Sequence, residues 1–163
     1  MNAPDPDQDH QLLTSWLTVI GALTMFWSPV ERHIDQCVHF LHQQLIKQKK
    51  LKKPKKPLRL GCKLDFIKSN MPVGIIDIQE LESLSEQTKS TVQIRDVCVH
   101  GLLISYDQQK IEINKVNGKY DEHCIENFTI DRNRLEKLAG KLCLLHQQWG
   151  SIASALFEHA TNA

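Results

Sequence analysis

The sequence predicts a mainly α fold, a helical bundle with a small antiparallel β-meander inserted before the C-terminal helix. Two observations carry that expectation. Apolar residues recur at helical spacing from His10 to about Lys47 and again from Leu135 to Leu156. Between them the period shifts toward alternation in LLISY (102–106), KIEINKV (110–116) and KYDEHCIENFTI (119–130), which reads as three short strands. A length of 163 residues suits one domain with a sizeable core. Residues 1–9 read as a disordered lead-in, and 10–163 as the domain, with a basic connector at 47–63 and the β-insertion at 102–130.

The first helical stretch places Leu13, Trp16 or Leu17, Ile20, Leu23, Trp27, Val30, Ile34, Cys37 or Val38, Leu41 and Leu45 at helical spacing. Pro29 lacks an amide donor and clashes with the preceding turn, so a kink or break is expected near Trp27–Pro29, with Ser28 as a new cap. Gln11–Val30 carries no charge, and its length approaches a bilayer span. The interspersed Thr14, Ser15, Thr18, Thr24 and Ser28, the acidic flank and the continuation past Glu31 favour a buried core helix and no membrane. MNAPDPDQDH is acidic where a secretory leader is basic, which points to the cytoplasm. His33, His39 and His42 have spacings that could ligate a metal, yet no carboxylate or Cys constellation accompanies them. Solvated or packed histidines are expected, with no metal and no cofactor.

KQKKLKKPKKPLRLGCK (47–63) holds nine basic residues, two prolines and no acid. It reads as a connector, either a solvated loop or a phosphate-attracting patch, with Lys49, Lys50, Lys52, Lys53, Lys55 and Lys56 as the candidate substrate-binding side chains. The formal net charge of +1 means that any attraction to a polyanion is local. Leu60–Asn70 follows as a short helix closed by Met71-Pro72 and Gly74. From about Asp77 the stripe Ile78, Leu81, Leu84, Thr88, Val92, Arg95 and Val99 predicts a long helix that Gly101 stops by taking the left-handed conformation. Asn117-Gly118 signals a type I′ hairpin turn and Asp107-Gln108-Gln109 a looser one. Asp131 or Asn133 caps the last helix, where Leu135, Leu138, Leu142, Leu145, Trp149, Ile152 and Leu156 form a seam that packs inside the chain or across a dimer. The five cysteines are scattered and never in a C-x-x-C pair, so neither a disulfide framework nor a structural zinc is expected.

Arg95 lies on or beside an apolar stripe, an uncomfortable place for a cation without a partner. Asp96 follows it, and His100 and Gly101 stand at the helix end. Arg32–His39 has a related spacing but lies in mid-helix.

The long N-terminal helices, the later helix ending in Arg95-Asp96-Val97-Cys98-Val99-His100 and the closing helix resemble a HEPN domain. The signature of that family is Arg, a polar residue, three to five others and then His. The resemblance implies an all-α bundle, a homodimer that brings two Arg–His motifs into one cleft, and in many members metal-independent RNA cleavage by toxins of toxin–antitoxin or antiviral systems. The β-insertion departs from the simplest form of the pattern.

The residue chemistry is consistent with that implication. An imidazole, with an ordinary pKa of about 6.5, can take a proton from a 2′-hydroxyl or give one to a leaving 5′-oxygen. A guanidinium offers a fork of donors to phosphoryl oxygens. Arg95 and His100 are therefore the expected catalytic pair, with Asp96 orienting either group, RNA as substrate and an antitoxin protein as a further partner. The alternative reading is a non-catalytic helical RNA- or protein-binding module.

Overall fold

The structure, a computed structural model, describes residues 6–48, 55–117 and 124–162. The chain runs α1 (Pro6–Lys47), α2 (Leu60–Asn70), α3 (Ile78–His100), β1 (Leu102–Tyr106), β2 (Lys110–Asn117), β3 (Cys124–Asp131) and α4 (Arg132–Asn162). The mainly α class with a meander ahead of the last helix is what the sequence predicts. Two compact units divide it, one of Met1–Phe26 with Thr91–Lys141, the other of Trp27–Ser90 with Leu142–Ala163. Helices α1, α3 and α4 each contribute a segment to both.

In the first unit the sheet has the order β1-β2-β3, antiparallel throughout. Ile111 and Ile113 of β2 and Ile130 of β3 are buried, as alternation on a one-sided sheet requires. A register shift between Leu103 and Ser105 bulges β1. Asp107 closes the first hairpin as expected, its Oδ1 accepting the amides of Gln109 at 2.7 Å and Lys110 at 2.9 Å. Its carbonyl accepts Trp16 Nε1 of α1 at 2.7 Å. The Arg132 guanidinium, at the start of α4, lies 5.0 Å from the same indole and bonds Ser15, so helix, turn and helix meet on one tryptophan. The Asn117-Gly118 turn extends outside the described residues.

In the second unit Trp149 Nε1 donates to Thr88 Oγ1 at 2.9 Å, both residues being buried. That bond fixes α4 against α3. Lys63 of α2 is buried too, with Nζ 2.6 Å from Asp35 and 3.8 Å from Glu31 on α1. His33 stacks on His146 at 4.9 Å, and Gly150 leaves room for the imidazole, since a Cβ there would lie 3.2 Å from His33 Nε2.

Three expectations are corrected. Helix α1 begins at Pro6, four residues before His10, so the lead-in is helical from that point; Pro suits a first turn, where its missing N–H would be unpaired anyway, and Asp7 and Asp9 suit a helix N-terminus. The same helix passes through Pro29 without a break, and Ser28 caps nothing. An internal proline costs about 3 kcal/mol, but Trp27, Val30 and Ile34 on either side are buried. At about 1.5–3 kcal/mol per buried side chain, their packing outweighs that cost.

Gly101 does not adopt a positive φ; Gly74 does, at +93°. Glycine is required at 101 for close approach instead, because a Cβ would collide with Ile113 Cγ2 and lie 2.5 Å from the Val97 carbonyl oxygen. At the last helix Asp131, not Asn133, is the cap, its Oδ1 accepting the Arg134 amide at 2.7 Å.

Candidate functional site

The site is built on the last turns of α3. Upstream, Asp77 caps the helix by accepting the Gln79 amide at 2.8 Å, and Leu81, Leu84, Thr88 and Thr91 are buried in succession. The stripe then thins. Val97 is buried, Arg95, Asp96 and Cys98 are half-buried, and Val99 and His100 are exposed.

Arg95 keeps 20% of its side chain exposed, and its Nη1 donates to Asp96 Oδ1 at 2.8 Å. Its Nε is buried and finds no acceptor among the described residues. The predicted pairing of Asp96 with one of the two catalytic candidates is therefore present, and it is with the arginine. One Asp96 oxygen holds one arm of the guanidinium, so the orientation of the fork is set locally, by adjacent residues.

His100 is the last residue of α3. It is exposed and makes no hydrogen bond or ion pair among the described residues. The helix end beneath it is held by the Gly101 amide, which donates to Val97 O at 2.9 Å, and by the tight seat of Gly101 on β2. Five positions separate the two groups, about 7.5 Å along the axis and roughly 140° around it. Both side chains belong to the first unit, and among the described residues no hydrogen bond or ion pair joins them.

Cys98, between them, is no nucleophile in this setting, since burial pushes its thiol up to about 11. Cys37 is pushed up to about 12 by the same cause.

The basic connector is divided. Lys49, Lys50, Lys52 and Lys53 lie outside the described residues. Lys55 and Lys56 are exposed and belong to the second unit, with Lys56 Nζ 2.8 Å from His39 Nδ1. Lys63, counted in the same basic run, is held by Asp35 and Glu31 and is not a free cation. His33 likewise spends Nδ1 on Gln36 Oε1 at 2.9 Å. Among the described residues no three His, Cys, Asp or Glu side chains group as metal ligands.

The α4 seam is internal to the chain. Leu135, Leu138, Leu142, Leu145, Trp149, Ile152 and Leu156 are all buried within the protomer, so it is core and not the surface of an interaction module. One signal passed over in the sequence is Met71-Pro72-Val73-Gly74-Ile75-Ile76, an uncharged apolar run in a loop. Val73 is fully exposed there.

Comparison with family models, with curated proteins and with solved structures finds no match to this chain.

Proposed function

We propose that the protein is a metal-independent endoribonuclease, acting as a homodimer in the cytoplasm and serving as the toxin of a toxin–antitoxin or antiviral system. The observation that carries this reading is the pairing at the end of α3 of a half-buried, carboxylate-oriented guanidinium with an exposed terminal imidazole. The HEPN resemblance lends it the same roles. A phosphodiester is the ligand such a pair suits. Arg95 offers its remaining donors to the non-bridging oxygens, and charge developing there in the transition state is stabilised more than in the ground state. His100 moves the proton, either from the 2′-hydroxyl as it attacks the adjacent phosphorus or to the departing 5′-oxygen.

One chain supplies one such imidazole, and a two-fold dimer supplies the second. The products are a 2′,3′-cyclic phosphate and a free 5′-hydroxyl. Lys55 and Lys56, exposed on the connector, add non-specific attraction for the backbone, which weakens as salt rises.

The test is cleavage of mixed-sequence RNA in EDTA with end-group analysis. Cyclic phosphate ends that disappear in His100→Ala support the reading; wild type and variant equally inert across varied RNAs refute it. Expression in a bacterial host gives a second readout. Wild type should arrest growth where Arg95→Ala does not.

A further inference from the structure

Within the second unit, α3 and α4 leave between them an open groove of about 780 Å³ that none of the motif residues lines. Leu84 and Ile152 lie buried beneath it, and the apolar surface it presents comes from half-buried Ile75, Ile76 and Ala155. Its rims are amide and hydroxyl groups, Gln79, Ser83 and Gln87 on α3 facing Gln148 and Ser151 on α4. These recur at helical spacing along walls roughly 10–12 Å long, or about two turns. The Trp149–Thr88 bond sets the two walls, so the groove is preformed.

The apolar surface continues past the end of the groove. Ile75 and Ile76 line both this groove and a neighbouring cleft of about 620 Å³, beside which Val73 stands fully exposed and Ile78 half-exposed. A loop this apolar on the surface is a feature of interaction sites.

Charge selects the occupant. Glu80 lines both clefts and makes no ion pair among the described residues, and Asp77 stands beside it. Among the described residues no Lys or Arg lines the groove. Lys68, the one cation among the described residues that lines the neighbouring cleft, is taken by Asp65 at 3.2 Å.

We infer that this groove receives one amphipathic helix of a partner protein, its apolar face on Ile75, Ile76 and Ala155 and its polar flank carrying lysine or arginine toward Glu80. An apolar helix face laid between two helices is an established recognition mode. Apart from Glu80 the lining is uncharged, so such a helix is accepted without desolvating an ion pair. The excess of carboxylate disfavours an acidic one.

The experiment uses the full chain and three labelled synthetic peptides of about four helical turns, read by fluorescence anisotropy. One carries leucine and alanine on one face and lysine on the other. The second replaces lysine with glutamate, and the third scrambles the first so that charge is kept and the apolar face lost. The lysine peptide should bind saturably and at least about ten-fold more tightly than either of the others. Ser151→Arg, which places a cation in the exposed wall, should weaken it by about the same factor, and Glu80→Lys should reverse the preference between the lysine and glutamate peptides. Circular dichroism confirms that both variants are folded.

Equal binding of the three peptides, or binding indifferent to both variants, overturns the inference. So does self-association of the wild type that Ser151→Arg abolishes, because the occupant would then be a second copy. Loss of RNA cleavage in His100→Ala leaves the inference untouched, so its failure and that of the nuclease reading are distinguishable.

Discussion

Helix α4 and the end of α3 read alike in sequence, each with a residue every three or four positions on one stripe, yet they end differently. All seven stripe residues of α4 are buried. On α3 the stripe is exposed at Ile78, buried from Leu81 to Thr88, then passes through half-buried Val92 and Arg95 to exposed Val99. The first helix spends its periodicity on packing. In its last turns, the second gives up apolar contact to hold a guanidinium, a carboxylate and an imidazole. Such a departure from local consistency is expected where function competes with stability.

The largest effect that would sharpen the contrast is Leu142→Ala in the α4 seam. It removes a fully buried side chain and should cost about 2–5 kcal/mol in chemical denaturation. A loss under about 1 kcal/mol would mean that the seam is not core. Gly101→Ala comes next, since the added methyl has to displace Ile113 or the Val97 carbonyl. A cost of about 1–3 kcal/mol is expected. It should come with loss of amide protection in Ile113 and Asn114 by hydrogen exchange, because the disturbance falls on β2.

Asp131→Ala removes the α4 cap and should cost about 1 kcal/mol, with fraying confined to the first turn. Asn133→Ala should cost much less. The smallest effect concerns acid. Amides of Gln109 and Lys110 hold the Asp107 carboxyl below the ordinary aspartate range. Its folded pKa is therefore depressed relative to the unfolded chain, so its contribution is complete above about pH 4 and is lost as pH falls through the lowered value. Asp107→Asn should flatten the stability profile in that window and lower stability by a constant amount above it, near pH 7 included.

Much of the fold was legible because it rests on periodicity. The stripes of α1 and α4, the limits of α2 and the alternation of the meander follow from side-chain spacing alone. What the sequence hid depends on partners distant in the chain. Pro29 reads as a breaker until Trp27, Val30 and Ile34 are seen to be buried around it. Gly101 reads as a conformational cap until β2 is seen to pass within contact. Lys63 reads as one more cation of a basic run until Asp35 and Glu31 close on it.

Of the candidate site, the adjacent Arg95–Asp96 pair and the terminal position of His100 were readable, since both are local. The buried Arg95 Nε and the groove of the second unit were not, because burial and concavity are made by elements far apart in sequence.

The central proposal is that the end of α3 serves chemistry and not packing. The most direct test measures thermal unfolding and RNA cleavage on the same preparations of wild type and His100→Ala. An exposed side chain without partners should contribute within about 0.5 kcal/mol, a shift of roughly 1–2 °C in Tm for a chain of this size. Loss of a general acid or base should lower cleavage about 10²–10⁴-fold. A variant that unfolds many degrees earlier, or that cleaves as the wild type does, would contradict the account.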